Sequence, residues 1–162
     1  MIAKSAEAQK GYRVLIADDQ PVVRQDVCRL LESQPGVEVC RESTTGTEAV
    51  DLAKKGKPDL VVLDLTMQEL NGLEAAREIQ EVSPQTEILI LSIHFSEEIA
   101  REALRSGARA CILKSDADSD LLSAIQHLRQ GKPFLPAAWP IRWRIAFCMG
   151  EPLRKLPCRE CR

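Results

Sequence analysis

The sequence predicts an α/β protein built on a doubly wound parallel sheet, and three observations carry that prediction. Short apolar runs alternate five times with amphipathic stretches between Tyr12 and Gly131. Three of the runs, VLIA, LVVL and ILIL, are apolar without interruption, as parallel strands must be when helices cover both faces. Turn and cap residues fall where each amphipathic stretch should stop.

The strands are read over Arg13 to Ala17, Val37 to Arg41, Leu60 to Leu63, Ile88 to Leu91 and Ala110 to Leu113. Helical spacing of apolar side chains fills the intervals: Val23, Val27, Leu30 and Leu31; Ala49, Val50 and Ala53; Leu73, Ala76 and Ile79; Ile99, Ala103 and Leu104; Leu121, Leu122, Ile125 and Leu128. The helices should end at Gly36, Lys57-Pro58, Ser83-Pro84, Gly107 and Gly131. This gives one domain over residues 11–131, preceded by a polar, disordered 1–10.

After Pro133 the composition shifts to FLPAAWPIRWRIAFCMGEPLRKLPCRECR, with both tryptophans and no further βα unit. Residues 132–162 are therefore expected to be a separate tail. Ile141, Trp143, Ile145, Phe147 and Met149 alternate with other residues as in a strand, while Trp139, Trp143 and Phe147 share a helical face, so either form fits.

A formal net charge of -2 over 162 residues offers no bulk attraction to nucleic acid. No apolar stretch has the length of a signal-peptide core or a membrane span, so a cytoplasmic location is expected. Cys28, Cys40 and Cys111 lie in periodic apolar segments and read as reduced core thiols. Cys158-x-x-Cys161 has the spacing of half a zinc site, but its further ligands would have to come from Cys148, His94 or His127, and two free thiols in a disordered end is the better reading.

Chemistry collects where ligands bind in such sheets, beyond the carboxyl ends of the strands. Asp18 and Asp19 follow the first strand, Asp64 the third, Ser92 the fourth and Lys114 the fifth. Singly, each has an ordinary structural explanation as a helix cap, turn residue or solvated charge. Together they place three carboxylates, a hydroxyl and an ammonium at one sheet edge. Three crowded carboxylates call for a hard divalent cation, with Mg²⁺ favoured. Beside that charge and Lys114, Asp64 can act as nucleophile toward a phosphoryl group. Ser92 and Lys114 would then contact its oxygens.

The pieces VLIADDQPVVR, LVVLDLTMQELNGLEAAREI and ILILSIHFSEEIAREALRSGARACILKSDADSDLLSAI resemble the receiver domain of bacterial two-component response regulators, and within it the NarL/LuxR group. The resemblance implies a flavodoxin-like (CheY-like) five-stranded parallel sheet in the order 2-1-3-4-5 with five helices. It also implies Asp64 as phosphoacceptor, Asp18 and Asp19 as the acidic pair, the Thr66 backbone carbonyl as a further Mg²⁺ ligand, Ser92 as switch hydroxyl and Lys114 as phosphoryl partner. The donor would be a histidine kinase or a small-molecule phosphodonor, and the domain would promote only its own phosphorylation and dephosphorylation.

Three positions depart from that pattern. Gln68 stands where the loop after the acceptor usually carries proline. Cys111 stands where an aromatic switch residue is expected, which puts output coupling in doubt. Ser115 replaces a frequent proline, as it often does in this group. His94 is equally well read as a shaper of water access and as a surface loop residue. No helix-turn-helix follows, and the scattered tail arginines disfavour DNA binding by this chain alone. Four functions remain open: a phosphorylation switch that homodimerises or heterodimerises; a phosphorylation-independent interaction module; a NarL/LuxR-type transcriptional regulator with a truncated DNA-binding part; and, last, a flavodoxin-like cofactor enzyme.

Overall fold

The computed structural model describes residues 11–94, 96–137, 139–142 and 144–145. Five strands and five helices alternate: β1 Tyr12–Ala17, α1 Pro21–Glu32, β2 Val37–Ser43, α2 Gly46–Gly56, β3 Leu60–Asp64, α3 Gly72–Val82, β4 Glu87–Ser92, α4 Glu97–Arg105, β5 Ala110–Leu113 and α5 Ala117–Arg129, with a 3-10 turn at Lys114–Asp116 before α5. All strands pair in parallel in the order β2-β1-β3-β4-β5. The expected fold class and strand order are therefore both observed.

The strands are slightly longer than their apolar runs. Asp64 pairs with Leu91 and Ser92 with Leu113, so these polar residues close their strands where they were expected to follow them. Backbone pairing is indifferent to side-chain polarity, and the ladder continues until the chain turns.

The first four helices each start on a local signal. Pro21 opens α1, Thr45 accepts from the Glu48 amide, Asn71 accepts from Leu73 and Glu74, and Ser96 accepts from Ile99. Continuous apolar strands send alternate side chains to two cores. One lies under α2, α3 and α4 and contains Leu63, Ile79, Ile90, Ala100 and Cys111; the other lies under α1 and α5 and contains Ile16, Leu31, Val62, Leu91 and Leu121.

The segment after Gly131 corrects the expectation of a separate tail. The Phe134 amide donates to Arg109 O at 3.0 Å, and Phe134 O accepts from the Cys111 amide at 3.4 Å, giving one parallel bridge on the outer edge of β5. Leu135 and Trp139 are buried in the first core. An edge strand leaves backbone groups unpaired, and this return covers part of that edge. Ile141, Arg142, Arg144 and Ile145 are helical, which decides between the two periodicities there. Residues 1–10 and 146–162 lie outside the described residues, and with them the readings of Phe147, Cys148, Met149, Cys158 and Cys161.

The cysteines also differ from expectation. Of the three described cysteines only Cys111 is fully buried, with its thiol pushed up to about 12 by burial. Cys28 and Cys40 are half-buried, and their thiols donate to Glu42 Oε1 and Val14 O, each at 3.4 Å. Among the described residues, no helix is long and apolar enough to cross a membrane.

Candidate functional site

The parallel register brings the site together. Ala17 pairs with Leu63 and Asp64 with Leu91, so Asp18 and Asp64 leave neighbouring strands at the same level, with Ser92 one residue further along β4. Asp18, Asp64 and Ser92 are almost fully buried, while Asp19 is exposed. Oxygens of Asp18, Asp19 and Asp64 lie within 4.8 Å of one another.

Lys114 joins them from the end of β5. Its Nζ lies 3.2 Å from Asp18 Oδ2 and 3.0 Å from Asp64 Oδ2, and it donates to Gln20 Oε1 at 3.4 Å. The lysine stem is largely covered, so the ammonium reaches the carboxylates over buried surface. Both Oδ2 atoms are buried, and among the described residues neither has a partner besides the Lys114 ammonium. Buried carboxylate oxygens left in that condition, beside a third carboxylate, form the donor set that a hard cation satisfies.

The other oxygens are held in place. Asp18 Oδ1 accepts from the Gln20 amide at 2.8 Å. Asp64 Oδ1 accepts from the Thr66 amide at 3.3 Å and its hydroxyl at 3.5 Å. The Ser92 hydroxyl faces elsewhere, donating to His94 O at 2.6 Å. Thus Asp18, Asp19, Asp64 and Lys114 form one cluster, and Ser92 stands beside it with its proton engaged. The His94 side chain is exposed, and its carbonyl is the part that meets Ser92.

Sequence reasoning missed three residues and part of the role of a fourth. Gln20 touches both Asp18 and Lys114, and Arg24 donates to Asp18 O at 2.8 Å while pairing with Glu42 at 3.2 Å. The signal available for Gln20 was its position directly before a helix-opening proline. Thr66 contributes its amide and hydroxyl to Asp64, beyond the carbonyl that was assigned. Gly72 was unremarked, yet a Cβ there would stand 2.4 Å from Asp64 O.

Burial pushes the Asp18 carboxyl above its ordinary value of 3.8, and the Asp64 charge adds to this against the opposing Gln20 amide and Lys114. A carboxyl raised on folding favours the folded state while protonated, and that contribution is lost as pH rises through its elevated value. Asp18→Asn is therefore expected to be more stable than the unsubstituted chain in metal-free buffer at pH 7, by about 1 kcal/mol. The difference should shrink on acidification. Urea denaturation at several pH values measures it, and a variant less stable at pH 7 contradicts this account.

Residues 14–126 match the family of the response regulator receiver domain. The chain is 36% identical over 120 residues to the uncharacterized transcriptional regulatory protein YxjL of Bacillus subtilis, covering 74% of this chain and 55% of YxjL. It is 34% identical over 130 residues to the nitrate/nitrite response regulator protein NarL of Escherichia coli, covering 80% and 60%. It is 36% identical over 115 residues to the chemotaxis protein CheY of Thermotoga maritima, covering 71% and 95%. Among solved structures, a LuxR-family two-component response regulator from Aurantimonas superposes with a TM-score of 0.75 at 33% identity, covering 78% of this chain and 91% of that one. The chain spans about half the length of its curated relatives YxjL, at 55%, and the transcriptional regulatory protein DegU of Brevibacillus brevis, at 54%.

Proposed function

Since the chain belongs to the receiver domains of two-component response regulators, we propose that it is a signalling switch in which Asp64 takes up a phosphoryl group. The observation that carries this reading is the Asp64 carboxylate itself, buried at the end of β3 with the Lys114 ammonium 3.0 Å away and two further aspartates within ligand distance.

Asp18, Asp19 and Asp64 would hold Mg²⁺ together with the Thr66 carbonyl. The bound ion would neutralise phosphoryl oxygens and so make phosphorus open to an anionic nucleophile. Asp64 supplies that nucleophile: a carboxylate oxygen forms the new P–O bond, and the bond to the leaving group breaks with its electron pair departing on that group. From acetyl phosphate the leaving group is acetate; from a phosphohistidine of a kinase it is the imidazole, which takes up a proton. Thr66 fixes the carboxylate through Oδ1, Lys114 pairs with a phosphoryl oxygen, and Ser92 donates to another once it leaves His94 O. Attack of water on phosphorus returns the aspartate and releases phosphate, so the domain modifies only itself.

The partners on this reading are a histidine kinase or a small phosphodonor, and a second receiver as homodimer or heterodimer. The site is proposed to work in the cytoplasm. Incubation with acetyl phosphate and Mg²⁺ should give a phosphoryl adduct by intact-mass spectrometry, lost in Asp64→Ala. An adduct that survives this substitution ends the reading.

Cys111 favours a second reading, a phosphorylation-independent interaction module, because a thiol sealed in the core cannot perform an aromatic flip. Beryllofluoride separates the two: a partner affinity or oligomeric state indifferent to it supports the module.

A further inference from the structure

We propose that the cavity between the end of α5 and the helical residues Ile141, Arg144 and Ile145 binds a small amphiphilic carboxylate, a molecule with one carboxylate head and a hydrocarbon body. The cavity shares no lining residue with the Asp64 cluster, and the inference does not rest on the phosphoacceptor reading.

The cavity follows from how α5 ends. Gly131 has a positive φ of 72°, its amide donates to Leu128 O at 2.9 Å, and the Lys132 amide donates to His127 O at 2.9 Å. This pair of bonds closes the helix and turns the chain back. Pro133 biases Lys132 toward extended backbone, and Phe134 is fixed by its bridge to Ala110 at the edge of β5. Further on, the Arg144 amide donates to Pro140 O at 3.2 Å. Ile141, Arg144 and Ile145, spaced by three and four residues, therefore share one helical face. The space left between the two walls has a volume of about 700 Å³, the size of a small-molecule site.

The lining carries the two chemistries of an amphiphile. Phe134, Leu135, Ile141 and Ile145 make it apolar, and the two isoleucines are 69% and 52% exposed. Covering them releases apolar surface from water, which asks for a hydrocarbon body. The titratable side chains of the lining, His127, Lys132 and Arg144, are all basic. Among the described residues, neither Lys132 nor Arg144 has an ion pair. His127 is held in orientation: its Nδ1 donates to Ser123 O at 2.7 Å, since a carbonyl can only accept, and its ring lies 5.1 Å from that of Phe134. Its Nε2 is the ring nitrogen left for a ligand.

Charge and apolar surface together select the occupant. A neutral hydrocarbon would draw unpaired cations out of water, and a bare inorganic anion would leave Ile141 and Ile145 wet. A carboxylate suits the planar Arg144 guanidinium, which can donate two parallel hydrogen bonds to it, with the Lys132 ammonium as a second positive charge.

The test is titration of the full chain with sodium octanoate, followed by amide NMR shifts and calorimetry, with acetate as a head-only probe and octanol as a body-only probe. Expected is saturable one-to-one binding of octanoate with a Kd of about 0.3 mM, and binding at least about fivefold weaker for acetate and octanol. The shifts should centre on Lys132 and Phe134. The double variant Lys132→Ala with Arg144→Ala, two changes outside the core, should bind octanoate about tenfold more weakly and octanol unchanged. Ile141→Asn should weaken both about threefold. Shifts scattered over the surface, or undiminished octanoate binding by the double variant, overturn the proposal. So does a dimer that Ile141→Asn disperses and octanoate does not, because the apolar wall is then covered by a second copy of the chain.

Discussion

Lys114→Ala is expected to have the largest effect on the site, because one ammonium serves two buried carboxylates. Asp18 Oδ2 and Asp64 Oδ2 lie 3.2 and 3.0 Å from Nζ and have no other partner among the described residues. Removing the cation leaves two like charges facing each other in a poorly solvated pocket. Breaking a buried pair from one side costs about 3 kcal/mol at neutral pH, taking the lower end because the site opens to solvent at Asp19. The loss should be smaller at low pH, where Asp18, already raised by burial, takes up a proton. It should also be smaller in Mg²⁺, which supplies the missing positive charge. Phosphorylation by acetyl phosphate should slow on the order of 10²-fold, as when one fixed donor to a developing charge is removed. Denaturation with and without Mg²⁺ at pH 5 and 7, and adduct formation over time, check both. A loss equal under all four conditions would show that packing of the lysine stem matters and its charge does not.

Gly72→Val is expected to be the most damaging change to Asp64 among substitutions at residues that carry no chemistry. A Cβ at Gly72 would stand 2.4 Å from Asp64 O and 3.0 Å from Asp64 C, and these are backbone atoms that cannot turn aside. The Gly72 amide also donates to Leu65 O at 3.1 Å, so helix α3 begins in contact with the strand end that carries Asp64. A β-branched residue must push α3 away or displace Asp64, costing about 3 kcal/mol. Gly72→Ala should show the same defect at smaller size. The discriminating measurement is adduct formation under conditions where the variant remains folded by circular dichroism. Full phosphorylation by a folded Gly72→Val chain would mean that α3 yields without disturbing Asp64.

The contrast between Lys114 and Gly72 shows which kinds of information a sequence displays. Lys114, Asp64 and the acidic pair were legible because each follows an apolar run, and the parallel fold gathers such positions at one edge whatever the details of packing. Gly72 was not legible, since its role depends on how closely a helix start approaches a strand end, a distance no local pattern encodes. Thr66 and Gln20 fall between the two. Their positions near Asp64 and the first helix were visible, but the bonds they make depend on how the loops turn.

Ser92 makes a further distinction. Its place at the end of β4 follows from the sequence, yet the present partner of its hydroxyl, His94 O, is a fact of loop conformation. The segment after Pro133 shows the same limit on a larger scale. A sudden change in composition after Pro133 pointed to a separate tail, because periodicity reports only local amphipathicity. Leu135 and Trp139 are instead buried, because the open edge of β5 and the small Cys111 left backbone groups and volume that this segment could fill.

By itself the sequence determined the alternation of strands and helices, the sheet class and the set of charged groups that the sheet edge would collect, because hydrophobic period and strand-end placement are local properties that survive any detail of packing. Only the tertiary structure decided the company those groups keep: Lys114 between Asp18 and Asp64, Gly72 against the Asp64 backbone, and Phe134 on the edge of β5. Those arrangements depend on distances between segments far apart in the chain, which are set by close packing and by the need to pair buried polar groups.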